Sequence, residues 1–355
     1  MKIGILTFHR AHNYGAVLQC YALQEVLKGM GHEVEVIDYR QPNIEIGYDH
    51  LRIKDIARSI LKIWTLNKYI FTIKKERKAL KYFSSFRNNY LDLTNKCTQY
   101  DIPMDFDVYV IGSDQLFTID ITKEIDPVYS GLFQRRKNSF LLGYAVSMNK
   151  KSIQMIGYEG WHDIQARYKA FSTREETFSD EIYNISRIKF ETCVDPTLLT
   201  NPAIWKKLSS TNESTESYVV LYEVRKVKTN PRLIYEKAQV IAKQYGLSVI
   251  DLSNMDYTVE QWVWYISHAQ CVVTTSFHAT VLSLIFSRPL YAFCLNDGGD
   301  DRYVDVLRKV GASACIQNLD SSPYRIPDLD WPSINKQMEL IKQDSLMFLM
   351  RNLHE

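Results

Sequence analysis

Short apolar runs alternate with stretches of helical periodicity through most of this chain, and this alternation restricts the fold more than any other feature. Residues 3–7 form a strand-like run, and the segment after them carries apolar residues at helical spacing. Residues 34–38 form a second strand-like run. Strand, helix and strand in this order predict a β-α-β unit with two parallel strands and a helix that crosses one face of the sheet.

The alternation starts again after residues 209–216, which are all Ser, Thr, Asn or Glu and have the composition of an exposed linker. At 355 residues the chain is long enough for two domains. We therefore expect an α/β protein with two Rossmann-like domains and a cleft between them. The expected division is an N-terminal domain at 1–208 with a basic helical insertion at about 51–90, a linker at 209–216, a C-terminal domain at 217–330, and a C-terminal helix at 331–355 that packs back on the first domain.

The pattern also predicts where individual strands lie. In the first domain, further strands are predicted at 108–111, 140–145, 168–170 and 191–195. In the second domain, strands are predicted at 218–222, 247–252, 271–274 and 290–293, with helices at 231–245, 259–267, 278–286 and 302–310.

Charge and cysteine content narrow the class of protein. Lys and Arg number 43 against 41 Asp and Glu, and a net charge of +2 argues against a dedicated nucleic-acid binder. The six cysteines form no Cys-x-x-Cys pair, which is typical of a reducing cytoplasm. The N-terminus has no signal-peptide pattern and no apolar run is long enough to span a bilayer. We expect a cytoplasmic protein.

Residues 51–81 hold a local excess of positive charge, with ten basic residues against two acidic ones. Apolar residues are interleaved with them, in the pattern of a basic amphipathic helix that rests on an anionic membrane surface. The same pattern is typical of a helical flap whose apolar side packs on the first domain. The first interpretation predicts peripheral contact with the inner face of the cell membrane.

The loop after the first strand is rich in polar groups and leads directly into a helix. It holds Arg10, Asn13, Tyr14 and Gly15. A helix N-terminus at the carboxyl end of a strand suits an anion, and Arg10 adds a positive charge. The alternative is structural: Asn13 caps the helix and Gly15 permits close packing.

A second polar cluster follows the strand predicted at 108–111. Ser113, Asp114 and Gln115 come directly after Gly112, and three hydrogen-bonding side chains in a row suit the hydroxyls of a sugar. The alternative is that Ser113 or Asp114 caps a helix.

In the second domain, the strand predicted at 271–274 leads to Ser276 and His278 at the start of a helix. A histidine beside an anionic substrate at the cleft can act as a general acid. A lone histidine is also often structural.

Two arginines follow strands at positions that suit binding of an anion. Arg174 opens a predicted helix, and Arg302 follows an acidic loop with carboxylates at 297, 300 and 301. Guanidinium groups bind phosphate or carboxylate through paired hydrogen bonds. The alternative for each arginine is an ion pair with a neighbouring carboxylate. The acidic loop lacks a second cluster that would complete a metal site, so we expect it to be solvated and predict no metal.

Taken in order, these segments resemble the polysaccharide pyruvyl transferase family. The resemblance rests on ordered motifs from near the start to about residue 311: residues 13–19 with 21–23, 110–115, 172–176, 194–199 and 275–278. It implies a glycosyltransferase-B-like pair of Rossmann domains. It also implies transfer of a pyruvyl group from phosphoenolpyruvate to a sugar of a polysaccharide or glycolipid precursor, with a cyclic ketal as product and no cofactor. His278 and Arg174 match the family's histidine and arginine.

The chain departs from some family members at one position. Those members have an arginine that contacts the donor two residues before the histidine, where this chain has Ser276. Arg174, Arg302 and Arg10 are then our candidates for the donor's anionic groups, together with Ser276. The catalytic candidates are His278 and Asp114. The candidates for binding a saccharide acceptor, free or lipid-linked, are Asn13, Tyr14, Ser113 and Gln115. Two other functions fit the same fold, a nucleotide-sugar glycosyltransferase and a non-catalytic subunit of a glycan-assembly complex.

Overall fold

The computed structural model describes residues 1–44, 63–209, 217–321 and 326–353. Within them the chain forms two parallel β-sheets with helices packed on their faces. Strands β1 to β6 belong to the first sheet, and strands β7 to β11 belong to the second. The change from one sheet to the other falls between residues 192 and 218, and residues 210–216 of the expected linker lie outside the described residues.

The first sheet has six strands in the order β2-β1-β3-β4-β5-β6, and every pair is parallel. Its strands are β1 (Lys2–Leu6), β2 (Glu33–Val36), β3 (Val108–Asp114), β4 (Phe140–Val146), β5 (Ala170–Thr173) and β6 (Glu191–Thr192). The helices of this part are α1 (Tyr14–Gly29), α2 (Ile63–Tyr90), α3 (Ile119–Thr122), α4 (Lys150–Arg167), α5 (Glu176–Ser186), α6 (Pro196–Leu199) and α7 (Pro202–Leu208).

The strand predicted at 168–170 is misplaced. Tyr168 instead ends α4, and β5 begins at Ala170 and continues through Ser172 and Thr173. These two polar residues suit a buried strand because their hydroxyls are hydrogen-bonded: Ser172 Oγ donates to the carbonyl of Gly143 at 3.2 Å, and Thr173 Oγ1 donates to that of Glu175 at 3.2 Å.

The second sheet has five strands in the order β11-β10-β9-β7-β8, again all parallel. Its strands are β7 (Tyr218–Tyr222), β8 (Ser248–Asp251), β9 (Cys271–Thr274), β10 (Leu290–Phe293) and β11 (Ile316–Gln317). The helices are α8 (Leu233–Gln244), α9 (Val259–His268), α10 (Phe277–Ile285), α11 (Asp301–Lys309) and the C-terminal α12 (Trp331–Leu353), with a 3-10 turn at Ser313–Cys315.

Helix α12 lies across the first domain. Ser345 Oγ accepts a hydrogen bond from the amide of Val194 at 2.9 Å, and Arg351 pairs with Glu191 at 2.6 Å. The rings of Phe348 and Tyr144 are 6.3 Å apart. The last helix of the chain therefore ties the end of the second domain back to the first.

The two domains share one hydrophobic core. Tyr14 at the start of α1 stacks on Trp262 of α9, with ring centroids 5.1 Å apart, and its hydroxyl donates to the carbonyl of Tyr257 at 2.8 Å. This shared core fixes the loops at the carboxyl ends of the two sheets against each other.

Helix α2 carries the described part of the basic segment. Phe83 and Phe86 are buried and contact Tyr14 and Tyr21 of α1, so this part of the helix packs on the first domain. Lys78 lies 3.3 Å from Asp256 of the second domain. Residues 45–62 lie outside the described residues, and no described helix is both long and apolar enough to cross a membrane.

Each sheet has one switch point, where the chain moves from one neighbour of a strand to the other. It lies between β1 and β3 in the first sheet and between β7 and β9 in the second. In parallel α/β sheets ligands bind outside the carboxyl ends of the strands at such points. The fold is therefore α/β, with two Rossmann-like domains in a glycosyltransferase-B-like arrangement and their switch points at the cleft.

Candidate active site

The loop after β1 is joined to the end of β3. Thr7 Oγ1 donates to the carbonyl of Ser113 at 3.1 Å and accepts a hydrogen bond from Gln19 Nε2 at 2.8 Å. Asn13 Oδ1 accepts from the amide of Ala16 at 3.2 Å and caps α1. The side chain of Asn13 therefore has the structural role considered for it, that of a helix cap.

The polar cluster at the end of β3 does not cap a helix, since the next described helix, α3, begins at Ile119 with Thr118 before it. Ser113 is buried, and its hydroxyl contacts the carbonyl of Ala145 at 2.9 Å and Asp195 Oδ2 at 3.2 Å. Asp114 is half-buried and has a φ of 74°, in the left-handed region. Its Oδ1 accepts from the amide of Gln115 at 2.9 Å, and this turn ends the strand at the switch point.

Arg174 follows β5 and is buried between two carboxylates. Its Nε donates to Glu175 Oε1 at 2.8 Å, its Nη1 donates to Asp195 Oδ2 at 2.8 Å, and its guanidinium lies 4.3 Å from the ring centroid of Phe277. Burial opposes the charge, but Glu175 and Asp195 outweigh it and raise the pKa of Arg174 above its ordinary value. Nη2 is buried and has no hydrogen-bond partner among the described residues.

Asp195 is the group that joins these segments, and the sequence analysis gave it no role. Its Oδ1 accepts from the amide and the hydroxyl of Thr197 at 3.0 and 2.7 Å, so it caps α6. Its Oδ2 faces Arg174, Ser113 and His278. Burial would raise the pKa of Asp195, but His278, Arg174 and Thr197 together hold it below its usual range. The carboxylate is therefore ionised at neutral pH.

His278 brings the second domain into this cluster. Ser276 caps α10 by accepting from the amide of Ala279 at 3.4 Å, which places His278 in the first turn. His278 Nε2 lies 3.5 Å from Asp195 Oδ2, and 12% of the side chain is exposed. On its other side the ring lies against Gly15 of α1. Nε2 makes no hydrogen bond to a described residue, and an imidazole beside a carboxylate with a ring nitrogen left unpaired is suited to transfer a proton.

Arg302, in the first turn of α11, lies near Arg174. Both arginines line a cavity of about 200 Å³ between the domains, together with Phe277, Lys309 and the carboxylates of Asp195, Asp305 and Asp344. Burial, and then the positive charge of Arg174, lower the pKa of Arg302. Two neighbouring guanidinium groups favour an anionic ligand because its charge reduces their mutual repulsion.

Comparison with known proteins gives the family. A model of the polysaccharide pyruvyl transferase family matches residues 13–294. The chain belongs to that family. The match includes the loop before α1, Arg174, Asp195 and His278 and ends before Arg302. No match is found among curated proteins.

Several solved structures are similar to this chain at low sequence identity. The UDP-GlcNAc 2-epimerase from Methanocaldococcus jannaschii is 10% identical, with a TM-score of 0.46 over 96% of this chain and 93% of that chain. The UDP-GlcNAc 2-epimerase from Neisseria meningitidis, bound to UDP-GlcNAc, is 9% identical, with a TM-score of 0.46 over 98% of this chain and 100% of that chain. The spinosyn forosaminyltransferase SpnP is 11% identical, with a TM-score of 0.44 over 98% of this chain and 95% of that chain. Similarity at this level says nothing about chemistry.

Two of the residues singled out in the sequence, Arg10 and Tyr14, have other contacts in the structure. Arg10 Nε donates to Asp38 Oδ1 at 2.6 Å, and the same oxygen lies 3.0 Å from His9 Nε2. Tyr14 is fully buried in the packing between the domains. The structure therefore brings Ser113, Arg174 and His278 together through Asp195, whereas donor binding by Arg10 and acceptor binding by Tyr14 stay predictions.

Arg225, which the sequence analysis did not single out, holds the loop before Arg302. Its Nη2 donates to Asp300 Oδ1 at 2.8 Å and to the carbonyl of Thr275 at 3.4 Å. The expectation of a solvated acidic loop is wrong for Asp300, which is buried and also accepts from the hydroxyl of Tyr303 at 2.5 Å. Across the described ranges no three potential metal ligands come together.

Proposed function

We propose that this protein transfers the pyruvyl group of phosphoenolpyruvate to two hydroxyls of a saccharide, forming a cyclic ketal and releasing phosphate. The observation that carries the proposal is the contact of His278 with Asp195 and of Asp195 with Arg174, at the junction of the two domains. An acid and a cation that both lie beside one carboxylate supply the two functions that this donor requires, protonation of carbon and binding of negative charge.

Phosphoenolpyruvate carries a carboxylate and a phosphate, so its site must present several cationic N–H donors. Arg174 Nη2 and the guanidinium of Arg302 are the proposed donors, because both arginines line the cavity that Asp195, the neighbour of His278, also lines. Ser276 stands where some family members have an arginine that contacts the donor. We assign this contact to Arg302.

The proposed reaction needs no oxidant and no further substrate. His278 gives a proton to the methylene carbon, and a sugar hydroxyl adds to the central carbon and loses its own proton. The bond to phosphate then breaks, a second hydroxyl closes the ketal, and its proton leaves with the phosphate. Two hydroxyl protons are thus consumed, one at carbon through regeneration of His278 and one on phosphate. General acid–base catalysis of this kind contributes roughly 10²- to 10⁴-fold.

For the saccharide, the proposed contacts lie at the switch point of the first sheet. Asp114 and Gln115 are half-buried at the end of β3 and are proposed to orient the sugar, with Asn13 and Ser113 beside them. Tyr14, the first residue of α1, is also a proposed acceptor residue.

The proposal is tested by incubating the full-length protein with phosphoenolpyruvate and a panel of p-nitrophenyl glycosides. We expect release of phosphate and a mass gain of one pyruvate ketal on the sugar. A His278→Ala variant that folds normally should lose at least about 100-fold in turnover. Consumption of a nucleotide sugar in place of phosphoenolpyruvate would replace the proposal by a glycosyltransferase, and binding without turnover would favour a non-catalytic subunit.

We also propose that the protein works in the cytoplasm and contacts anionic lipid through residues 51–81, where a lipid-linked saccharide acceptor would be anchored. The local charge of this segment supports the proposal, since each basic residue near an anionic surface contributes about 1 kcal/mol. Sedimentation with phosphatidylglycerol vesicles tests it. Replacing Arg52, Lys54, Arg58 and Lys62 by Glu should release the protein, and equal sedimentation of both forms would contradict the proposal.

A further inference from the structure

Glu223 occupies the switch point of the second sheet and has no role in the proposed reaction so far. It follows β7 directly, and β7 lies between β8 and β9. Tyr222 pairs with Thr274 in the register of β7 and β9, so Glu223 is level with Thr275. Adjacent strands are about 4.8 Å apart, and α10 with His278 begins only two residues after Thr275.

Hydrogen bonds hold the backbone around Glu223 and Thr275 in place. Thr275 donates its amide to the carbonyl of Tyr222 at 3.3 Å and its hydroxyl to the carbonyl of Arg225 at 3.0 Å. On the other side the amide of Glu223 donates to Ser253 Oγ at 2.9 Å. The backbone of Glu223 is therefore held between the ends of β8 and β9, beside the turn that positions His278.

One oxygen of the Glu223 carboxyl group lacks the hydrogen-bond partner that burial normally requires. Only 8% of the residue is exposed, and Oε1 is buried without a hydrogen-bond partner in the described parts of the chain. A buried polar atom without a partner is costly and rare in proteins. An incoming hydroxyl would supply the missing hydrogen bond.

The charged groups that act on Glu223 come from the two neighbouring segments. Burial raises the pKa of this carboxyl to about 7, Lys226 of the following loop lowers it, and Asp251 at the end of β8 raises it. A carboxyl with a pKa near neutrality can accept a proton and release it again at physiological pH.

We propose that Glu223 binds the reacting hydroxyl of the saccharide and accepts its proton as the oxygen adds to the central carbon of the donor. The O–H bond breaks, the new C–O bond forms, and the proton passes to Glu223 and from there to solvent. Solvent returns one proton to His278, which is thereby regenerated for the next turnover. This inference rests on the proposed function, and it divides the acid–base work between the ends of β7 and β9, with Glu223 as base and His278 as acid.

The test compares wild type with Glu223→Gln and Glu223→Asp, using phosphoenolpyruvate and the p-nitrophenyl glycosides, from pH 5.5 to 8.5. In the wild type we expect kcat/KM to rise with pH through about 7, as the base becomes ionised. Glu223→Gln should lower kcat/KM by at least about 100-fold and abolish this rise, and Glu223→Asp should keep the rise at a lower rate. The exposed Glu159→Gln is the matched control and should behave as wild type.

A second measurement separates this inference from the proposed function. Calorimetry with the glycosides and the three proteins, without phosphoenolpyruvate, should show weaker binding to Glu223→Gln by about 10-fold or more. Wild-type turnover together with an unchanged pH profile in Glu223→Gln overturns the inference and leaves the proposed function intact. Glycoside binding that depends on Glu223 without any phosphate release contradicts the proposed function and supports the assigned contact.

Discussion

Gly15 lies directly against the imidazole of His278. A β-carbon placed on Gly15 would come within 2.0 Å of His278 Nδ1 and within 2.4 Å of Cγ, closer than any real contact. Gly15 belongs to the first turn of α1 in the first domain, whereas His278 belongs to the first turn of α10 in the second. The absence of one side chain therefore permits two helix N-termini to meet and holds the histidine beside Asp195.

Gly15→Ala should damage activity more than stability. The added methyl group must displace His278 from Asp195 or separate the domains, and overpacking of this kind costs about 1–3 kcal/mol. A shift of about 1 Å at a reacting group reduces turnover by roughly 100-fold. Gly29→Ala, at the other end of the same helix, is the control because no neighbouring atom lies within 4 Å. Equal phosphate release by both variants would show that the close approach has no part in catalysis.

Asp195→Ala should strongly destabilise the folded protein. It removes the acceptor of Arg174, Ser113 and Thr197 and leaves a buried guanidinium with a single carboxylate, Glu175. Breaking a buried ion pair costs about 3–5 kcal/mol, which urea unfolding at pH 7 will measure. Asp163→Ala removes a surface pair with Arg167 and should change the free energy of unfolding by less than about 1 kcal/mol. A similar loss in both variants would contradict the central position of Asp195.

Arg174→Lys should weaken binding of phosphoenolpyruvate while keeping the positive charge. The three N–H donors of a lysine share one nitrogen, so a lysine cannot reach the separate positions of Nε, which binds Glu175, Nη1, which binds Asp195, and the unpartnered Nη2 of Arg174. Loss of one hydrogen bond to a charged ligand costs about 1.5–3 kcal/mol, so KM for phosphoenolpyruvate should rise roughly 10- to 100-fold. The exposed Arg232→Lys is the control. An unchanged KM in Arg174→Lys would remove Arg174 from the donor site.

Much of the second sheet was predictable from local sequence. The predicted strands at 218–222, 271–274 and 290–293 coincide with β7, β9 and β10, because continuous apolar runs between turns are typical of strands buried on both faces. The strand β5 was misplaced because Ser172 and Thr173 are polar, and the hydroxyl of Ser172 is satisfied by Gly143 and Ala145, which are distant in sequence.

The connecting residues of the site were not predictable in the same way. Asp195 precedes a proline and has the local pattern of a helix cap, which is one of its roles. Its other role depends on Ser113, Arg174 and His278, which are far apart in the chain and meet only in the fold. The raised pKa of Glu223 likewise results from burial and from Asp251, with Lys226 acting in the opposite direction. No sequence pattern marks that burial.

His12 should make the stability of the protein depend on pH below neutrality. Burial, and then the positive charge of Arg87, lower the pKa of His12 to about 4, against about 6.5 in an unfolded chain. Between these values the unfolded chain binds a proton that the folded protein does not, so the free energy of unfolding must fall as pH decreases from 6.5 to 4. One such group contributes a slope of up to about 1.4 kcal/mol per pH unit.

The ring of His12 stacks on Phe83 with centroids 5.4 Å apart, so His12→Phe preserves the contact and removes the titration. Urea unfolding at pH 7, 6 and 5 should show a shallower decline for His12→Phe, with the remaining slope due in part to His9, whose pKa is also lowered by burial. His12→Asn should lose stability at every pH and yet show the same shallower decline, and a slope equal to wild type in both variants would contradict the assignment.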